Sequence, residues 1–193
     1  MKDIEKVIDF MVEIEKLKDI SRKTMPVGLD RFENSAEHSW HVCISALMLK
    51  EYANEKVNID KVIKMLLIHD LGEIDAGDTV VYHSETKEVA EKEMKGIKRI
   101  LDMLGEDEAR YYFDLWSEFE KGESAEAKFA RAVDRIPPLL HNIYGEGHSW
   151  KTYNVPKEKV FSLNEKRIKE GSEVLWDCMK KKLHQAVSDG ILK

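Results

Sequence analysis

The segment Met65-Leu-Leu-Ile-His69-Asp70-Leu-Gly-Glu73 sets a histidine, an aspartate and a glutamate directly behind four apolar residues. A charged aspartate beside apolar side chains is costly to bury unless something compensates it. A divalent cation does so, taking carboxylate oxygen and neutral imidazole nitrogen from the same pair. Neighbouring helix residues point about 100° apart, so His69 and Asp70 serve one ion only near a helix end or on a shared flank. Alone, a His–Asp dipeptide more often marks a capping histidine beside a solvated aspartate. Two further polar insertions change the balance. Glu37-His38-Ser39-Trp40-His41 precedes the apolar Val42, Cys43 and Ile44, and Asp134 interrupts Phe129-Ala-Arg-Ala-Val-Asp134-Arg-Ile. Each has a bland reading: His38 as a surface residue of a first turn, Asp134 as a partner of Arg131 or Arg135. His38 and His41, three residues apart, could also share an ion without Asp134. Taken together, the insertions supply the histidines and aspartates of a mixed N/O site.

The elements that must position these residues are helical. Ile4, Val7, Ile8, Met11, Val12 and Ile14 predict a first amphipathic helix through about Ile20. Arg22–Ser35, with Pro26, Gly28 and Asn34, predicts a loop. Asn34 with Glu37 predicts a capping box that opens a second helix from about Ala36 to Ala53. Asp60 is expected to cap a third, burying Val62, Ile63, Leu66 and Leu67, with Gly72 as its stop. Glu73–Tyr82 reads as a loop, Thr86–Leu104 as a helix closed by Gly105, and Glu106–Lys121 as another followed by Gly122. Ser124 can cap the helix that carries Asp134. Pro137 and Pro138 should end or kink that helix just past Asp134, because a proline removes a donor and clashes with the carbonyl four residues back. Gly145–Pro156 is expected as a loop and Glu158–Val187 as one long last helix. Val80 and Val81 are the only hint of a strand. The expected architecture is all-α, a single domain over residues 1–193 built as a bundle of about seven helices.

Composition bounds the function classes. Hydrophobic residues make up 42% and charged residues 35%, enough for a core and a solvated surface. Only 10 Gly and 4 Pro exclude collagenous and mucin-like chains. Cys43 and Cys178 cannot form a disulfide framework, so a reducing cytoplasm is the expected compartment. No apolar run approaches membrane-spanning length, and the acid-rich N-terminus does not read as a signal peptide. A net charge of −6 argues against a protein that coats nucleic acid polymers, although a metal or one well-placed Arg can still hold a small phosphate ligand. Trp40, Trp116, Trp150 and Trp176 are expected in the core or an interface, and Cys43 and Cys178 as small buried hydrophobes. His83, His148 and His184 are expected at the surface, and His141 as a hydrogen-bonded structural group.

The order His38, His69-Asp70, Asp134 resembles the metal-binding signature of the HD-domain phosphohydrolases. Leu17-Lys-Asp-Ile-Ser-Arg22, Arg31-Phe-Glu33-Asn-Ser-Ala-Glu37-His38-Ser39, His69-Asp70-Leu-Gly-Glu73 followed by Gly77-Asp78, and Ser124-Ala-Glu-Ala-Lys-Phe129 leading to Asp134 resemble its 5′-deoxynucleotidase branch. The likeness runs from about Met11 to Ile143. It implies that His38, His69, Asp70 and Asp134 bind one divalent metal ion (Co, Mn, Fe, Mg or Zn), with Asp70 also part of the catalytic set. It implies that Glu73 handles the nucleophilic water, that Arg22 holds the phosphate, and that Asp78 contacts the sugar hydroxyl and disfavours ribose. It also implies a homodimer. One departure is Lys23, where well-known bacterial members carry Trp, so the resemblance does not carry over base or sugar packing at that position, nor with it the strength of the deoxy preference.

The implied chemistry is hydrolysis of a deoxyribonucleoside 5′-monophosphate to deoxynucleoside and phosphate. A divalent ion acidifies water and neutralises phosphate charge, and an Arg fork matches two phosphate oxygens. The competing expectations are an HD-type hydrolase of cyclic nucleotides, triphosphates or guanosine tetraphosphate, and a non-catalytic metal-containing binding protein. A di-iron bundle would want two Glu-x-x-His motifs, which the sequence lacks.

Overall fold

A computed structural model describes residues 4–79 and 87–193 of the chain. Helix α1 (Ile4–Ile14) passes into a 3-10 turn (Glu15–Asp19). The chain then runs extended, and Ser21 pairs antiparallel with Asn34. Arg22 N donates to Glu33 O at 2.8 Å, Glu33 N to Thr24 O at 2.9 Å, and Ser35 N to Ile20 O at 3.0 Å. This short pairing sets Arg22 and Glu33 side by side at the mouth of α2 (Ser35–Leu49). The expected capping box is present: Asn34 Oδ1 accepts from Glu37 N, and the Glu37 carboxylate accepts from Asn34 N. Such reciprocal capping satisfies amides that helix geometry leaves unpaired.

Next come α3 (Ile59–Ile68), the short α4 (Glu73–Ala76), α5 (Lys87–Leu101), α6 (Glu106–Lys121) and α7 (Ala125–Asp134). The chain continues through α8 (Ile136–Tyr144), α9 (His148–Thr152), α10 (Lys157–Gly171) and α11 (Glu173–Ser188). Helix α7 is the hub, packed against α10, α3, α6 and α2. One apolar core forms around Val42, Ala46, Met65, Leu66, Phe129 and Val133. A second gathers Ile136, Leu139, Val160, Ile168, Trp176 and Leu183, and Leu49 packs against both. Each fully buried side chain of this size contributes about 1.5–3 kcal/mol, so the two cores fix the helices that carry the polar residues.

The all-α expectation holds, but the helices are shorter and more numerous. Glu73–Tyr82 opens with α4, and Gly145–Pro156 contains α9. Asn58, not Asp60, caps α3, because its side chain reaches the amides of Asp60 and Lys61. Gly105 is the N-cap of α6. The single last helix is broken between Gly171 and Ser172. Gly171 touches α7 so closely that a Cβ would collide with the Lys128 carbonyl and lie 2.7 Å from Ala132 Cβ. Ser172 then leaves the helical region, donates from Oγ to Tyr52 O at 2.6 Å, and caps α11 at Leu175 N. Val80, Val81, His83 and Thr86 lie outside the described residues. Trp116, Trp150 and Trp176 are buried, whereas Trp40 is 65% exposed. Cys43 is buried but Cys178 is exposed, so the second cysteine is not a core residue. Among the described residues no helix is long and apolar enough to cross a membrane.

Candidate metal centre

His38 lies in the first turns of α2, His69 directly follows α3, and Asp134 ends α7. Three distant segments thereby meet at one point. One ligand atom from each of His38, His69 and Asp134 lies within 4.8 Å of the others, and all three residues are buried. His38 Nε2 is 2.9 Å from Asp134 Oδ1, and His69 Nε2 is 3.5 Å from the same oxygen. Asp70 borders the cluster, with Oδ1 3.1 Å from His69 Nε2, and accepts at Oδ2 from Arg22 Nη1 at 2.7 Å.

Local structure fixes these poses. His69 Nδ1 bonds the Leu66 carbonyl at 2.8 Å, so this ring both caps α3 and aims Nε2 at the cluster. Trp116 Nε1 holds the His69 carbonyl at 3.2 Å, and the Phe119 ring lies 5.2 Å from the imidazole. Pro137 and Pro138 fall in the first turn of α8, where a missing amide costs nothing, so the chain restarts at Ile136 and leaves Asp134 at a helix end. Glu33 stands behind the His38 ring, with Oε2 3.4 Å from a buried Nδ1 that makes no hydrogen bond among the described residues, the placement from which carboxylates orient metal-binding imidazoles.

The donor set suits a divalent ion. His69 Nε2 is buried and makes no hydrogen bond among the described residues, although it faces two carboxylates. A buried polar atom left in that state is costly without a ligand. Burial would lift the Asp134 pKa, but Arg135 and the two histidines hold it well below the usual carboxylate range. Burial would lower the pKa of His69, yet Asp70 and Asp134 push it up to about 9 without metal. Ion binding at neutral pH would therefore release a proton, as expected when a cation replaces one.

A profile of the HD domain family matches residues 14–176. The chain belongs to the HD domain family. A crystal structure from Magnetospirillum magnetotacticum, described as a predicted metal-dependent phosphohydrolase, is 44% identical and superposes with a TM-score of 0.91. It covers 98% of this chain and 97% of that one. The human 5′-deoxynucleotidase HDDC2 is 27% identical over 136 residues, which are 69% of this HD-domain chain and 65% of that protein's length. The Dictyostelium discoideum 5′-deoxynucleotidase HDDC2 is 29% identical over 140 residues, 69% of this chain and 74% of that one. This chain thus spans just under two thirds of the human relative.

The remaining residues expected of an HD-type site surround the cluster. Glu73 opens α4, and its Oε2 accepts from Ser35 Oγ at 2.6 Å. Burial, then the charge of Asp70, raises its pKa well above the usual range. Asp78 follows Gly77, whose φ of 76° favours glycine, and lines a pocket with Arg22, Lys23 and Arg135. Burial first, and Asp70 as well, raises the Asp78 pKa against the pull of Arg22. His41 does not join His38; it falls with Glu33 and His141. That second cluster is poorly suited to a cation. Arg22 Nε is already 3.3 Å from Glu33 Oε2, and Thr24 Oγ1 lies 3.1 Å from His141 Nδ1. His141 is therefore the hydrogen-bonded structural group expected of it. Glu33 and Ser35 had no individual role in the sequence reading, and Arg135 figured there only as a partner for Asp134. The signals for the first two were faint: an acid and a hydroxyl flanking a helix cap.

Proposed function

We propose that this HD-domain chain is a metal-dependent phosphomonoesterase that converts deoxyribonucleoside 5′-monophosphates to deoxynucleoside and phosphate. The observation that carries this reading is the convergence of His38, His69 and Asp134, with a buried imidazole nitrogen that makes no hydrogen bond among the described residues. His38, His69, Asp70 and Asp134 would hold one divalent ion of the Co, Mn, Fe, Mg or Zn class. When bound, that ion supplies Lewis acidity and positive charge beside the phosphate.

The chain's own residues supply the rest. Glu73, kept able to carry a proton by burial, accepts or relays one from the attacking water. Arg22 adds positive charge beside the phosphate and ties down Asp70. Asp78, in the adjoining pocket, meets the sugar hydroxyl, and Lys23 takes the place of an aromatic neighbour. Support for the substrate class comes from the HDDC2 relatives, which bear the 5′-deoxynucleotidase name.

We further infer that residues 1–193 act as one domain, since α7 and α8 join the two cores. A homodimer and a cytoplasmic location complete the reading. Trp40, Ile44, Leu47 and Met48 expose an apolar stripe along α2 of the kind that subunits cover. The test is phosphate release from deoxy- and ribonucleoside monophosphates, triphosphates and cyclic nucleotides, with the metal-free protein and with each metal. Asp134→Ala and His69→Ala should lose both metal and turnover; near-native turnover in either variant contradicts the assignment.

A further inference from the structure

Arg135 stands beside the metal centre, where its charge helps keep Asp134 ionised, and has no ligand contact assigned to it above. It follows Asp134 at the α7–α8 junction, is 5% exposed, and lines the pocket that also contains Arg22, Lys23 and Asp78. Its Nε has no hydrogen-bond partner among the described residues. The carboxylate oxygen recorded nearest to it, Asp134 Oδ2, is 3.9 Å away, beyond hydrogen-bond reach. Asp134 turns its other oxygen to the two imidazoles.

Arg22 is in the opposite condition. Its Nη1 donates to Asp70 at 2.7 Å, its Nε lies 3.3 Å from Glu33, and Glu73 is 3.9 Å from Nη1. Three carboxylates share its charge. Of the two guanidiniums at the pocket, Arg135 is the one whose fork is not already matched by a carboxylate. On α10, which packs against α7, the Arg167 pKa is lowered by burial first and then by the charges of Arg135 and Arg131. Cationic groups that lower one another's pKa repel, and an anion placed among them relieves that repulsion. A buried guanidinium whose Nε makes no hydrogen bond among the described residues, and whose recorded carboxylate contact is as long as 3.9 Å, is expensive, and phosphate is the anion whose geometry its donors fit.

We propose that Arg135 is a phosphate ligand, gripping the substrate's phosphoryl group from the α7–α8 junction, while Arg22 chiefly positions Asp70. This deepens the phosphomonoesterase reading and rests on it for the identity of the substrate. Arg135 reaches its anion from the side of Asp134, so an ion held by Asp134 and a phosphate held by Arg135 would be neighbours.

The experiment uses inorganic phosphate as the probe and the metal-loaded full chain, comparing wild type with Arg135→Met and Arg135→Lys. Titration calorimetry reads phosphate affinity, elemental analysis reads metal content, and thermal melting reads stability without phosphate. Arg135→Met should keep its metal and bind phosphate about 10- to 100-fold more weakly, the loss expected for charge-assisted hydrogen bonds. Its melting temperature without phosphate should stay level or rise, because a desolvated charge with no hydrogen bond at Nε has gone. Arg135→Lys keeps a charge but not the fork, and should lose several-fold. Unchanged phosphate affinity in Arg135→Met with metal retained overturns the proposal, as does unchanged affinity in Arg135→Lys if the Met variant does not fold. A lowered melting temperature with normal phosphate binding would mark a structural residue and also overturn it. Failure of the wild type to hydrolyse any monoester would instead sink the activity reading, while phosphate binding would still report on Arg135.

Discussion

Glu33→Gln isolates the part of the metal centre that lies behind its ligands. Glu33 is 2% exposed, and its Oε2 is 3.4 Å from His38 Nδ1 and 3.3 Å from Arg22 Nε. The same oxygen lies 3.5 Å from Thr24 Oγ1 and 3.8 Å from His141 Nδ1. Despite burial, which raises a carboxyl pKa, contact with His38, Arg22 and His141 holds Glu33 below the usual carboxylate range, so it is ionised at neutral pH. A carboxylate in that place favours the tautomer with the proton on His38 Nδ1, which leaves Nε2 to face an ion. Glutamine keeps the volume but removes the charge. Loss of such an orienting partner costs about 10- to 100-fold in metal affinity, or about 1.4–2.8 kcal/mol. Competition with a chromogenic chelator measures the change, and elemental analysis gives the stoichiometry. The expected result is one ion per chain in both proteins, a weaker Kd in Glu33→Gln, and a Kd in His141→Gln within about threefold of wild type, since that ring is not a ligand. Unchanged affinity in Glu33→Gln would refute the orienting role. Two ions in the wild type, with one lost in either variant, would show instead that Glu33, His41 and His141 hold an ion of their own.

Three other outcomes follow from single contacts. Glu73→Ala should retain the metal yet lose about 10²–10⁴ in kcat, the usual span for a general acid or base; joint loss of metal and rate would make Glu73 a structural support. Gly171→Ala should force α10 away from α7 and cost about 1–3 kcal/mol, read as a melting temperature lower by about 2–10 °C; an unchanged melt would mean that the helices yield without strain. His141, pushed down to about 4 by burial first and by His41 and His38 as well, stays neutral in the folded chain at pH values where an unfolded histidine takes a proton. Its contribution is therefore present above the unfolded pKa of about 6.5 and is lost as pH falls from there towards 4, by at most about 3 kcal/mol. Urea unfolding at pH 7 and pH 4.5 should show a smaller acid loss in His141→Gln than in wild type, and equal losses would place the titration elsewhere.

The site was legible where its residues obey local rules, and illegible where they answer to distant backbone. His69, Asp70 and Asp134 stood out because each is polar where a helix pattern calls for an apolar residue, and Asn34 and the two prolines set helix ends through their immediate neighbours. The break at Gly171 and Ser172 followed no such rule. Both residues occur in ordinary helices, and what stops this one is a carbonyl on α7 and a carbonyl at Tyr52, remote in sequence and visible only once the helices are packed. The cap of α3 falls on Asn58 and not on the expected Asp60 for a related reason: both types cap well, and only the backbone path decides which side chain meets the free amides.

Arg135 marks the boundary most sharply. Beside Asp134 in the sequence it looks like a ready-made ion-pair partner, and the adjacency argues for a neutralised, structural arginine. Folded, the two side chains stand 3.9 Å apart at their recorded approach, with Asp134 Oδ1 given to imidazoles and Arg135 Nε bonded to nothing described. Stability alone disfavours such an arrangement, since an apolar residue would fill the space at lower cost. A desolvated cation at the rim of a carboxylate-rich site helps keep Asp134 ionised but spends no hydrogen bond from Nε on it, and a phosphate ester beside a divalent ion would answer both charges at once.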